Sequence, residues 1–270
     1  MKRIIFTLLY NAGQFVLSRN FRNQNIGDIN WILKNYNLRE ITKGIDEILI
    51  LDITRVNKNP EKFFEIVKLI SSNCFIPVSA GGGITNTEQA ENLFKSGADK
   101  VFLNNLFFSN PEECKKISSV FGKQSIIGGI DFKRANNENV VYKDYGKNKS
   151  DKNINYWINF VQENGAGEIL LQSIDKDGTA SGIELNENFL DIFLDLKCPI
   201  ILMGGVGKIE HFLEAFKNDK IEAIATANLL NFIGDTFLKL RNNLILNKIE
   251  VVDWGDNNIL KFKNLFNDKN

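Results

Sequence analysis

Histidine is almost absent from this chain: His211 is the only one in 270 residues. It sits in the amphipathic stretch KIEHFLEAFKN beside Phe212, where packing or surface duty on an outer helix explains it, so no histidine is left for acid–base or metal chemistry. Cysteine is scarce too, and Cys74, Cys114 and Cys198 are odd in number, widely spaced and free of CxxC pairing. That excludes a disulfide frame or zinc site, reads the thiols as core residues and fits a reducing compartment. Aspartate and glutamate are scattered without the spacing of a metal cage, so no metal and no cofactor is expected. There is no Walker lysine pattern and no dinucleotide GxGxxG. Charge of either sign is not in excess, at 33 basic against 33 acidic residues, which gives no footprint for nucleic acid or an anionic membrane. No apolar run of about 18 residues occurs and the N-terminus lacks a signal peptide, so cytoplasm is the expected location. No stretch rich in Pro, Gly or Ser divides the chain, so residues 1–270 read as a single domain.

What is present is alternation. Eight short apolar runs read as strands: IIFTLL, EILILDI, IPVSAG, KVFLN, SIIGGID, EILLQSI, PIILMG and EAIATA. Between them lie amphipathic stretches such as Pro60 to Ser72, Asn86 to Gly97 and Lys208 to Asn218. Strands that are nearly continuously apolar are buried on both faces, and eight βα units in this length predict a closed (β/α)8 TIM barrel, with an open doubly wound sheet as the alternative. The polar run at about 132–151 reads as an inserted loop or hairpin.

The chain also repeats itself. At an offset of 122, Pro77 falls on Pro199, Gly82 and Gly83 on Gly204 and Gly205, Glu88 on Glu210 and Phe94 on Phe216. Neighbouring offsets match GIDEILILD to GAGEILLQS and Asn105 to Asn228, which implies a barrel built from two repeated half-barrels. At the same offset Ile4 and Ile5 fall on Ile126 and Ile127, but Leu9 falls on Asp131.

Barrel chemistry gathers where strands end at their C-termini. Asp52, Asn104, Asn105, Asp131, Asp175 and Asp177 occupy such ends. A strand-ending aspartate also serves as a helix cap or turn former, and for Asp52 and Asp175 the two readings stand side by side. Asp131, between the apolar run IIGGI and Lys133–Arg134, has no obvious capping duty and is the candidate catalytic residue. The turns AGGGIT and MGGVGK, with Gly82, Gly83, Gly204 and Gly205, let backbone amides approach an anion, and Asp177 and Gly178 in DGTASG add donors. Two such turns related by the repeat predict a small-molecule ligand with phosphates or comparable anionic groups at two ends, with Asp131 near its middle.

The motifs KRIIFTLL, GIDEILILDIT, IPVSAGGGI, SGADKVFLNN, GGIDFKR, GAGEILLQSIDKDGT and GKIEHFLEAF, over roughly residues 2 to 245, resemble the HisF family, the cyclase subunit of imidazole glycerol phosphate synthase of histidine biosynthesis. The resemblance implies a barrel that receives ammonia from a glutaminase partner through its core. It also implies an ammonia-dependent lyase that uses two opposed aspartates on a bisphosphorylated substrate. The second of those aspartates matches Asp131; the first matches Leu9. The family's first-loop lysine matches Leu17, and its threonines after strands four and six match Asn105 and Gln172. The residues implied at the ammonia gate and the glutaminase dock are kept, as Arg3, Glu47, Asp99, Lys100 and Glu168. A kept entrance with a lost carboxylate resembles the WbuZ-type branch, which implies work with a glutaminase and a separate sugar amidotransferase in turning an acetamido group of a surface-polysaccharide sugar into an acetamidino group. Two other readings stay open: an authentic cyclase, and a non-catalytic activator of the glutaminase.

Overall fold

The structure, a computed structural model, describes residues 1–36, 38–136, 138–193, 196–227 and 236–252. Eight strands run parallel: β1 (Arg3–Asn11), β4 (Glu47–Asp52), β5 (Val78–Gly81), β6 (Lys100–Leu103), β7 (Ile126–Ala135), β10 (Glu168–Ser173), β11 (Ile200–Met203) and β12 (Ile221–Thr226). Each pairs with the next, and β12 returns to β1 through Arg3↔Ala223 to Phe6↔Thr226, so the sheet closes on itself as a (β/α)8 barrel. The eight apolar runs read from the sequence are these eight strands.

Their near-continuous apolarity follows from burial on both faces. Along β1, Ile4, Phe6, Leu8 and Tyr10 pack outward on the helices, while Ile5 and Leu9 point to the barrel axis. The same alternation turns Leu49 and Leu51 of β4, Phe102 of β6, Ile127 of β7 and Leu170 of β10 inward. Phe102 fills space that the neighbouring strand must leave open, since a Cβ on Gly129 would lie 2.2 Å from its ring.

The outer helices start on strong signals. In Pro60–Ser71 the Asn59 side chain accepts from the Lys62 amide at 3.0 Å and Pro60 occupies the first turn, where its missing N–H costs nothing. The helix buries Phe63, Phe64, Ile66, Val67 and Ile70, each contributing roughly 1.5–3 kcal/mol of transfer free energy. Asn86 caps Thr87–Lys95 in the same way through the Gln89 amide. Among the described residues no helix is long and apolar enough to cross a membrane.

Two antiparallel hairpins break the βα alternation, and they stand in matching places of the two halves. β2 (Gln14–Arg19) and β3 (Arg22–Gly27) continue from β1, and β8 (Glu138–Lys143) and β9 (Asn148–Asn153) continue from β7. The sequence reading gave no sign of the first.

Candidate functional site

At the end of the barrel where the strands begin, four inward side chains form an alternating ring of charge. Arg3 donates through Nη1 to Glu47 Oε2 at 2.8 Å and through Nη2 to Glu168 Oε2 at 2.9 Å. Lys100 Nζ lies 2.8 Å from Glu168 Oε1 and 3.3 Å from Glu47 Oε2, and the Ser79 hydroxyl donates to Glu47 Oε1. Burial alone would raise the Glu168 carboxyl, but Arg3 and Lys100 together outweigh it and hold the group below its ordinary range. Asp99 stands apart: its carboxylate accepts from the Val78 amide at 2.8 Å and pins the start of β5.

At the opposite end an open pocket lies within the barrel mouth. Asp131 points into it from β7, between Asn104 on the β6 side and Gln172, its register partner on β10. Burial pushes its carboxyl up to about 7; a hydrogen bond from Asn104 pulls the other way, and the nearby charge of Asp177 adds to the rise. A carboxyl poised there can hold a proton or give it up near neutral pH. Across the mouth stands Leu9, only 6% exposed, paired with Leu51 and Val16 and continuous with Phe102. No acid takes its place from β1: the next residue, Tyr10, faces outward among Phe15 and Phe63, and burial raises its hydroxyl further.

The other strand-end residues are already engaged. Asp52 is 3% exposed; its Oδ1 accepts from the Thr54 amide at 3.0 Å and its Oδ2 meets Lys58 Nζ at 3.0 Å. Lys58 also donates to the carbonyls of Asp52 and Gly82, so its three N–H groups are spent on this turn. Asp175 accepts from the Arg134 amide at 2.8 Å. Asn105 accepts from the Asp144 amide at 3.2 Å and thereby holds the β8–β9 turn. Asp177 accepts from the Ser18 hydroxyl at 2.5 Å and the Phe21 amide at 3.0 Å, which ties the β2–β3 tip across the mouth; burial raises its carboxyl, and these donors offset part of the rise.

The glycine turns lie as the repeat requires. Gly82 and Gly83 line the main pocket, while Gly178, Gly204 and Gly205 line a smaller recess that Asp177 joins to it. Gly82 has φ +100°, and a Cβ there would sit 2.3 Å from the Asp52 carbonyl; Gly204 meets the Ser173 carbonyl in the same way at 2.6 Å. These glycines therefore let each turn close against the preceding strand, whatever else their amides bind. Asn228 lies outside the described residues.

Gly178 is the tightest of them: at φ +66° a Cβ would stand 2.0 Å from the Ser18 carbonyl. Gly178→Ala is expected to cost about 2–4 kcal/mol, from left-handed strain and the backbone collision together, read from the urea midpoint. The same variant should free the β2–β3 tip and speed proteolytic cutting near Asn20.

Three contributors escaped the sequence reading. Lys58 and Arg55, in the loop after β4, and Tyr145, at the β8–β9 turn, look like ordinary loop residues in the sequence. Tyr145 donates its hydroxyl to the Thr54 carbonyl at 3.3 Å, and the Arg55 guanidinium lies over its ring at 5.4 Å. Consecutive positive φ angles at Asp144, 54°, and Tyr145, 61°, the second unusual for an aromatic residue, go with that turn and are invisible in sequence.

The chain is similar to known proteins over most of its length. The family described as histidine biosynthesis protein matches residues 3–234. A provisionally named imidazole glycerol phosphate synthase subunit hisF2 of Parasynechococcus marenigrum is 45% identical over 235 residues, 87% of each chain. The imidazole glycerol phosphate synthase subunit HisF of a Thermotoga species is 40% identical over 84% of this chain and 88% of its own. That of Bacteroides fragilis is 34% identical over 86% and 91%.

Proposed function

The chain belongs to the histidine biosynthesis protein family, among the HisF subunits of imidazole glycerol phosphate synthase, and from that premise we propose that it is an ammonia-delivering subunit whose acceptor is not the cyclase substrate. In this reading a glutaminase of the HisH type docks below the ring of Arg3, Glu47, Lys100 and Glu168 and releases ammonia into the barrel. Asp99, beside the ring on the same face, belongs to that dock. The ammonia serves amidation of a surface-polysaccharide sugar, together with a separate sugar amidotransferase. The mouth, with Asp131 at its centre and the glycine turns on either side, holds a phosphorylated small molecule.

One observation carries this reading: Leu9 sits in an apolar wall where the repeat calls for a carboxylate opposite Asp131. Closing an imidazole ring while expelling a leaving group asks for one group that gives a proton and another that takes one, both at the reacting atoms. A leucine does neither. Asp131 is flanked by the neutral amides of Asn104 and Gln172, while the pocket's other carboxyls, Asp52 and Asp177, are engaged by Lys58 and by the Ser18–Phe21 tip.

The test is direct. Purified chain, given the bisphosphorylated ribosyl aminoimidazole substrate and excess ammonium salt at mildly alkaline pH, is expected to form no imidazole glycerol phosphate, while glutamine hydrolysis by an added HisH-type glutaminase is stimulated. Product from the unmodified chain that disappears in Asp131→Asn would overturn the proposal and return the chain to the histidine pathway.

A further inference from the structure

The charge around the mouth is unequal between the two halves. The repeat, at its offset of 121 in this region, places Arg55 opposite Lys176. Lys176 is committed: its Nζ donates to the Ile183 carbonyl at 3.1 Å and lies 3.5 Å from Glu184, which is buried. Lys58 is committed as well, to the Asp52 carboxylate and two carbonyls. Arg55 differs from both. Among the described residues it is the one cation lining the main pocket, which also carries three aspartates. Among the described residues its head makes one long hydrogen bond, to the Phe21 carbonyl at 3.4 Å, and rests over the Tyr145 ring. A guanidinium has five donors, so most of its capacity faces the pocket and solvent.

Three acidic groups and a single cation make a poor resting place for an anion unless that cation is the contact. Asp52 is neutralised by Lys58, and the Asp131 and Asp177 carboxyls are both biased towards holding their protons. What remains is a positive head held between the tips of two hairpins and sharing the pocket with Gly82 and Gly83. Arginine is the side chain suited to a phosphate here, because its planar fork matches two phosphate oxygens while its flat face stays on an aromatic ring.

We propose that Arg55 is the residue that grips the anionic end of the mouth ligand on the Gly82–Gly83 side, and that it sets which end of a two-ended ligand binds in this half. The proposal rests on the reading that the mouth takes a phosphorylated small molecule. It adds that the two ends are not equivalent: one meets an available guanidinium, while in the other half the matching Lys176 is turned to Glu184 and the Ile183 carbonyl. Through Tyr145 and the Phe21 carbonyl, an anion held by Arg55 also stabilises both hairpin tips over the pocket.

The experiment uses the full chain, labelled with nitrogen-15, titrated with inorganic phosphate and separately with ribose 5-phosphate, following the amide signals of Gly83 and Gly205. Gly205 is the internal control, because Arg55 does not line its recess. In the unmodified chain Gly83 should titrate. Arg55→Gln should weaken that titration about ten-fold or more, as expected for loss of a bidentate charged contact, and leave Gly205 unchanged. Arg55→Lys should recover part of the loss. The proposal is overturned if Gly83 does not respond to either probe, if its response survives Arg55→Gln, or if both glycines weaken together, which would mark a general field effect. None of these outcomes bears on whether the chain makes imidazole glycerol phosphate, so the acceptor reading and the Arg55 assignment stand or fall separately.

Discussion

Glu47→Ala should lower the stability of the folded chain by about 3–5 kcal/mol, read as a shift in the urea midpoint at unchanged slope. Glu47 is 2% exposed and sits between Arg3 and Lys100, with the Ser79 hydroxyl on its other oxygen. Removing it leaves two cations to share Glu168, and it leaves a buried hydroxyl without its acceptor. Neither can turn to water easily, since the Arg3 and Lys100 side chains are each only 17% exposed. The cost comes from uncompensated charge rather than from the loss of an attractive pair, so the double variant Glu47→Ala with Lys100→Met should recover much of it. A surface ion pair such as Lys115–Glu112, exposed on both sides, is the useful comparison, and breaking it should cost under about 1 kcal/mol.

The second large effect depends on pH. The Asp131 carboxyl titrates at about 7 in the folded chain, against about 3.9 for an aspartate in an unfolded one. Between those values the folded chain holds a proton that the unfolded chain has released. The stability conferred by that proton is therefore complete below about pH 4 and is lost as pH rises through 7. The amide introduced by Asp131→Asn cannot ionise, so the variant should be the more stable protein at pH 8, by about 2–4 kcal/mol, and the advantage should vanish as pH falls below about 4. Paired unfolding curves across pH 4–8 measure it, and a constant difference over that range would show that burial does not bias this carboxyl. A difference that grows with pH in this way is what a carboxyl kept at the expense of stability is expected to show.

The legible part of this molecule is the part written in apolar residues. Continuous runs such as EILILD and IILM announced strands buried on both faces, and the barrel follows from eight of them with helices between. The first hairpin was not legible for the same reason. Its outer strand, RNQNIG, is exposed or half-exposed throughout and carries a single large apolar side chain, so nothing in its pattern reports a partner. It is held instead by pairing with β2 and by Asp177, 156 residues beyond Phe21. Asp131 and Leu9 could be singled out because the repeat compares them directly. That Asn104 reaches Asp131, that Lys58 quiets Asp52 and that Arg55 stays available are facts of proximity between separate loops, and no local pattern encodes them.

The hairpins bear one more consequence. The tip of the first, at Ser18, Asn20 and Phe21, is fastened to Asp177 and to the Ile174 and Asp175 carbonyls, which belong to the second half of the chain. The turn of the second, at Asp144 and Tyr145, is fastened to Asn105 and Thr54, which belong to the first. Each half thus lends the other its clasp. A duplicated half-barrel that merely met its copy along two sheet edges could come apart and pair anew, but here the straps cross, and neither half closes its own mouth without the other.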